Sequence, residues 1–467
     1  MKIQILGAAR EVTGSKHLIT TIEGKKILLD CGMYQGKGLE TDAANRKLGF
    51  EPKEIDTLVL SHAHIDHSGL VPYLVKEGFT GNIICTHGTR DLCVIMLADC
   101  GRIQESDTRT HNKRRVKEGL PPLEPLYTAS DAQQSLQQFV SISYNQDFRL
   151  TDSVKFRFTN TGHILGSAAV NLTFKENDKE IKLCFTADIG RPGNSILLEP
   201  QPFPQADYII AESTYGDRLH DSRLDSEKKL LDVVVETCTK KRGKLIIPSF
   251  SVGRTQEIVY ALHKLFNKGW LPRIKVYVDS PLSFNATNIM RIHPESFNAE
   301  ITEFMHTDVD PFGFDSLTYI QTEEASKKLN NSEEPCIIIS ASGMAEAGRV
   351  KHHIANSISN PRNTILFVGY CEPKTLGAKI KRGESEVSIF GTPYKVKAGV
   401  DSIEAFSAHA DYSEMIVWLS CQDKSKIKKM LLVHGEYEAQ QKYKQILEEN
   451  RFTNIEIPEW GQEFILE

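Results

Sequence analysis

The chain has 467 residues and a formal net charge of −5, from 56 lysines and arginines against 61 aspartates and glutamates. That length exceeds one ordinary core and predicts two domains, while 40% hydrophobic and 25% charged residues exclude a disordered chain. The mild negative charge does not advertise a nucleic-acid binder. No apolar run reaches the roughly 18 residues of a membrane span, and Met1–Gly7 reads as a strand and turn, not a signal peptide. We expect a cytoplasmic protein without a membrane partner.

In chain order, Ile27–Asp30, Thr57–Leu60 and Asn82–Cys85 read as short strands, and helical periodicity covers Asp91–Ser106 and Ala132–Phe139. Val154, Phe156 and Phe158 then alternate as in an antiparallel strand, followed by the strand Leu183–Thr186. Strands bracketed by helices predict an α/β sandwich over 1–208. From 209 to 394 the pattern changes. Lys244–Pro248, Lys275–Asp279, Cys336–Ile339 and Thr364–Val368 are continuous apolar runs with helices such as Thr255–Phe266 between them. Such runs suit parallel strands buried on both faces, in a separate doubly wound domain. Over 395–467 the chain returns to the first pattern, with the strand Leu431–His434 and a helix from about Glu436 to Glu449.

The nine cysteines are odd in number and form no Cys-x-x-Cys pair. This argues against disulfides and a thiolate zinc site, and for buried thiols. The basic runs Lys113–Arg115 and Lys379–Arg382 are the kind usually found on solvated faces.

Chemistry concentrates in Ser61-His62-Ala63-His64-Ile65-Asp66-His67, directly after the strand Thr57–Leu60. Residues two apart on an extended chain share a side, so His62 and His64 converge on one ion. The turn that follows sends Asp66 and His67 the other way, toward a second. Nitrogen and oxygen donors at this density suit zinc. His163, in Thr161-Gly162-His163-Ile164-Leu165-Gly166-Ser167, Asp188 and His434 each stand where a strand gives way to a polar loop, where sites collect. Singly, each would read as a core or turn residue. Two ions roughly 3.5–4 Å apart need a bridging carboxylate, and Asp188 suits because a carboxylate has two oxygens and an imidazole one free lone pair. Asp30, at a strand end, reads as the carboxylate that receives a ligand's ring N–H; the plainer reading is a local turn.

Asp30, His62 to His67, His163 and Asp188, in that order, resemble the motifs of the metallo-β-lactamase superfamily. Ile209-Ile210-Ala211-Glu212-Ser213-Thr214-Tyr215-Gly216, Phe406-Ser407-Ala408-His409-Ala410-Asp411 and Val433-His434-Gly435-Glu436 extend the resemblance, over the whole chain, to its β-CASP branch of nucleic-acid-processing nucleases. Pro248–Glu257, Asp279-Ser280-Pro281 and Ala341–Met344 match as well. The resemblance implies an αββα sandwich with an inserted β-CASP domain built on a mainly parallel sheet. It implies a phosphodiesterase acting on RNA with two Zn²⁺ per chain, or Mn²⁺ in their place. It also implies the pairing: one ion on His62, His64, His163 and Asp188, the other on Asp66, His67, Asp188 and His434.

The expected reaction is attack on phosphorus by a hydroxide that two zinc ions activate, in a cleft between the domains. Asp66 then counts as catalytic as well as ligating. His409 is the candidate proton donor to the leaving 3′-oxygen, with Glu212 holding its tautomer and raising its pKa; otherwise His409 is a structural residue before a helix near Asp411. Arg254, Lys351, Lys379, Lys381 and Arg382 are candidates for substrate phosphates, as are backbone N–H groups near Ser249, Ser342 and Gly343. Solvation alone accounts for the cations as well. His352 or His353 is equally a cleft, core or surface residue.

The alternatives are a small-molecule (thio)ester or lactam hydrolase, a DNA nuclease, and a non-catalytic RNA-binding paralogue. A small-ester hydrolase has no need of the 209–394 insertion, and a paralogue should have lost ligands. RNA against DNA and a homodimer are left open.

Overall fold

The computed structural model describes residues 1–36, 40–176, 179–220, 225–369, 371–372 and 374–467. The chain opens with the antiparallel β1 (Lys2–Ile5), β2 (His17–Thr20) and β3 (Lys26–Leu29). β4 (Thr57–Val59), β5 (Asn82–Thr86) and β6 (Phe139–Ile142) follow, each parallel to the strand before it. β7 (Phe148–Arg149), β8 (Val154–Asn160), β9 (Ala168–Glu176) and β10 (Lys179–Phe185) form an antiparallel run, and β11 (Tyr208–Glu212) lies parallel to β10. Next come β12 (Leu245–Pro248), β13 (Lys275–Val278), β14 (Leu317–Tyr319), β15 (Cys336–Ser340) and β16 (Thr364–Phe367). The hairpin β17 (Glu386–Ile389) and β18 (Thr392–Lys395) and the strand β19 (Gly399–Ser402) complete that run. The last strands are β20 (Lys429–Val433), β21 (Ile455–Glu456) and β22 (Glu463–Ile465).

The chain divides into two compact units. The first holds Met1–Pro192, Glu199–Leu219 and His409–Glu467; the second holds Gly193–Leu198 and His220–Ala408.

In the first unit two seven-stranded sheets run β22-β1-β2-β3-β4-β5-β6 and β21-β20-β11-β10-β9-β8-β7. Their facing sides share one core that includes Ile3, Ile5, Leu29, Val59, Phe156, Phe158, Val170, Leu183 and Val433. The alternation along β8 follows from this: Val154, Phe156 and Phe158 point into the core while Lys155 is exposed. β11 is buried at every position because both its faces are covered. Ile210 faces the shared core, while Ile209 and Ala211 pack with Met415, Leu419, Tyr443 and Leu447 of the helices Tyr412–Leu419 and Tyr437–Glu449. The helix His87–Lys117 packs on β5 and β6 of the other sheet, giving αββα layers.

The second unit is built on a sheet ordered β14-β13-β15-β12-β16-β19, with every pairing parallel. Both faces are covered, which accounts for the unbroken Leu245-Ile246-Ile247 and Ile337-Ile338-Ile339. The expected boundaries at 208/209 and 394/395 differ from the observed ones for a topological reason. β11 bonds to β10 and β20 and so belongs to the first unit, and β19 bonds to β16 and so belongs to the second. Among the described residues no helix is long and apolar enough to cross a membrane. All cysteines except Cys100 and Cys421 are buried.

Two backbone hydrogen bonds tie this frame to the turn that follows β4. The Cys31 N–H donates to the His67 carbonyl, and the Ser15 N–H to the Asp66 carbonyl. A Cβ at Gly32 would lie 1.6 Å from that Asp66 oxygen. Gly32→Ala must therefore push the helix Ile65–Ser68 outward. We expect near-native circular dichroism but reduced retention of divalent metal by elemental analysis; wild-type metal content would show that this backbone approach does not position the turn.

Candidate metal centre

Every predicted donor lies just beyond the carboxyl end of a strand, and those ends share one edge of the sandwich. β4 leads to His62, His64, Asp66 and His67, β8 to His163, β10 to Asp188 and β20 to His434. β8, β10, β11 and β20 run in one direction because β8 and β10 both oppose β9, while β11 and β20 lie parallel to β10. The turns are sharp. Asp30, Ala187 and His434 have φ of 58°, 48° and 54°, the left-handed region that costs non-glycine residues about 1–3 kcal/mol and clusters at functional sites.

The donor atoms form two groups that meet at Asp188. Nδ1 of His64 lies 3.2 Å from His62 Nε2 and 3.1 Å from His163 Nε2. Asp188 Oδ2 lies 3.4 Å from both of those Nε2 atoms. On the other side, His67 Nε2 is 3.0 Å from His434 Nε2, and Asp188 Oδ1 is 3.2 Å and 3.5 Å from the two. Asp66 Oδ2 is 3.5 Å from His434 Nε2. A tetrahedral ion with bonds of about 2.0–2.1 Å to nitrogen sets donor–donor edges on the order of 3.3 Å, so both groups have the right spacing. Asp188 Oδ1 is buried and accepts no hydrogen bond from any described residue, a condition a cation would relieve. The donor set thus fits two divalent ions, in the pairing the resemblance implies.

Protonation agrees with this. Burial pushes His62 down to about 3 and His64 to about 4, and holds His163 well below its usual value, so three imidazoles keep free lone pairs. Burial would raise Asp66 and Asp188, but the surrounding histidines outweigh it and keep both carboxylates ionised. His67 is the exception: burial opposes its charge, but Asp188 and Asp30 raise its pKa, so an ion must displace a proton there.

Two buried carboxylates orient the ligands, each in the same way. Asp30 is 2.6 Å from His67 Nδ1 and also accepts from Ser61 Oγ at 2.8 Å, and Ser61 Oγ is 3.1 Å from His62 Nδ1. Glu212 is 3.1 Å from His409 Nδ1 and accepts from Thr214 Oγ1 at 2.6 Å, and Thr214 Oγ1 is 3.0 Å from His434 Nδ1. A hydroxyl that donates to a carboxylate can only accept from the imidazole, which places the proton on Nδ1 and leaves Nε2 for a metal. Asp188, Glu212 and His434 also lie within metal-binding distance of one another. Glu212 is nonetheless occupied, since it also accepts from the Ile189 N–H at 2.5 Å. His409 reaches the edge of the cluster, its Nε2 3.9 Å from Asp188 Oδ2. Burial opposes its protonation, yet Glu212, Asp188 and Asp66 together raise its pKa to about 9.

Ser61 and Thr214 escaped the sequence reading, because hydroxyl residues beside ligands carry no distinctive spacing. The expected phosphate contacts are more scattered. Ser249, Phe250, Arg254 and Gly343 meet at the carboxyl ends of the second unit's strands, with Ser342 beside them. Arg254 is buried and bonded to Glu257 at 2.7 Å. Lys351 donates to the Glu346 carbonyl, and Lys379 is exposed on the helix Leu376–Lys381. His353 is structural: its Nε2 donates to the buried Asp279, which also accepts from Arg349 and Ser326.

A sandwich with two donor groups sharing one carboxylate at the strand ends defines a metal-dependent hydrolase class. The metallo-β-lactamase superfamily matches residues 14–237, the Beta-Casp domain 255–380, and the Zn-dependent metallo-hydrolase RNA specificity domain 393–458. The chain is similar to Ribonuclease TTHA0252 of Thermus thermophilus, 34% identical over 94% of each chain. It is 30% identical to an RNase J-like protein of Methanocaldococcus jannaschii, over 92% of this chain and 91% of that one. It is 32% identical to the transcription termination factor FttA of the same organism, over 93% of this chain and 67% of that one. The chain belongs to the β-CASP family of the metallo-β-lactamase superfamily.

Asp30→Asn and Thr214→Val each remove one orienting link without touching a donor atom. Both should weaken retention of divalent metal by about 10–100-fold, read as metal release to a competing chelator. Wild-type retention in both would show that these links do not tune the ligands.

Proposed function

We propose that the chain hydrolyses RNA phosphodiester bonds at a pair of zinc ions, one on His62, His64, His163 and Asp188 and the other on Asp66, His67, His434 and Asp188. The observation that carries this reading is Asp188, whose two oxygens each face a different group of donors. The family, the match to an RNA specificity domain and the relatives named as ribonucleases support RNA as the substrate. Ions bound there would lower the pKa of water toward about 7 and neutralise charge on the phosphoryl oxygens.

The protein's own part is proton management. The leaving 3′-oxygen needs a proton as the P–O bond breaks. His409 is held protonated by Glu212 at Nδ1, and its Nε2 faces the donor cluster and can deliver the proton there. Glu212 has a second task, since it holds His434 through Thr214. Its loss should therefore lower both metal retention and rate, rather than act as a weaker copy of His409 loss.

His409→Ala should keep two equivalents of metal and lose about 10²–10⁴-fold in rate on unactivated RNA. A substrate with a better leaving group should rescue it. Asp66→Ala should lose at least about 10²-fold and not be rescued, because a ligand is gone. Metal loss in His409→Ala would make His409 a ligand; an unchanged rate would make it structural. Matched labelled RNA and single-stranded DNA test the substrate. A pure protein that folds normally with no metal, or that cuts neither polymer, sinks the proposal.

A further inference from the structure

The hairpin of β17 and β18 turns through only Phe390 and Gly391, with Ile389 paired to Thr392. Both turn residues have positive φ, 54° and 80°, so this is a type I′ turn. Asparagine or aspartate is the favoured residue at the first position, because a short polar side chain tolerates the left-handed region and a bulky one is an outlier there. Phenylalanine occupies it here, and it lies outside the core of the unit: Phe390 is 54% exposed. A half-exposed apolar residue in a strained conformation is costly, and such outliers point to function.

The ring has polar company. His352, exposed on the helix Arg349–Ser357, lies 4.5 Å from it, centroid to centroid and tilted by 30°. The ammonium of Lys351, next in the chain, sits 5.2 Å from the same centroid. The half-exposed ring thus lies beside an imidazole and a cation. This is the combination that stacks an unpaired base and meets the adjoining phosphate. We propose that Phe390, with His352 and Lys351, all within the second unit, is a stacking platform for a nucleobase of single-stranded RNA. The proposal rests on an RNA substrate.

The test uses the full chain, with Phe390→Asn and Phe390→Trp. Affinity is read by anisotropy with labelled oligouridylate and with an abasic oligomer of equal length, in an Asp66→Ala background so that the probe stays intact. Phe390→Asn should bind oligouridylate about tenfold more weakly, bind the abasic oligomer as before, and melt at a higher temperature because the turn is relieved. Phe390→Trp should keep affinity, and its fluorescence should be quenched by oligouridylate. Equal oligouridylate affinity in Phe390→Asn, or equal loss on the abasic probe, overturns the platform. An unchanged or lowered melting temperature overturns the strain argument. Hydrolysis of bis(p-nitrophenyl) phosphate should be unaffected by both substitutions. Oligouridylate binding without cleavage in the parent chain would overturn the nuclease reading and leave the platform standing.

Discussion

A buried carboxylate must be neutralised on both of its oxygens, and Asp188 imposes that demand on everything around it. Its ionised state in a dry site is tolerable because the imidazoles of His62, His67, His163, His409 and His434 crowd its oxygens, and of these burial holds only His62 and His163 neutral. Neutral imidazoles supply lone pairs, not charge, so the charge that offsets Asp188 comes from the imidazoles that stay protonated, or from a cation that would take the place of their protons. The donor spacings, the orphaned Oδ1 and the left-handed turns at the strand ends all fit a site that would seat cations on this one residue.

The sandwich meets this demand by strand direction. Parallel neighbours put β3 with β4, and β10, β11 and β20, end to end along one edge, so loops that are distant in sequence deliver donors to one place. Asp30 and Glu212 then fix the imidazoles, each holding one directly and a second through a hydroxyl. This division lets two carboxylates orient four histidines without competing for the metal positions, since their own oxygens are already filled by Ser61, Thr214 and the Ile189 N–H.

The donor cluster was legible in the sequence because closely spaced histidines and aspartates at strand ends are a rare pattern. His62 to His67 follows β4 at once, and Asp188 and His434 sit in the same context. The partner of Asp30 was legible as a kind of contact, though not as His67 in particular. The hydroxyl links were invisible, because serine and threonine occur everywhere. Domain boundaries were misplaced at β11 and β19, whose apolar runs say that they are buried but not in which sheet. Arg254 and His353 show the same limit. A buried cation paired with Glu257 and a histidine paired with Asp279 look, in sequence, like residues reaching for substrate. The turn at Phe390 was missed for the opposite reason, since phenylalanine is read as core unless its φ is known.

β20 has a further consequence. It enters the sheet beside β11, yet the segment His220–Ala408 of the second unit separates the two in the chain. His67 and His434, 3.0 Å apart, therefore come from opposite ends of a discontinuous domain. An ion held by both would be a staple across a very long loop, and its binding free energy would add to the cohesion of the domain it sits in. Without such an ion the first unit would lack that cross-link, and the returning segment His409–Glu467 would be held to the sheets it completes by packing and hydrogen bonds alone.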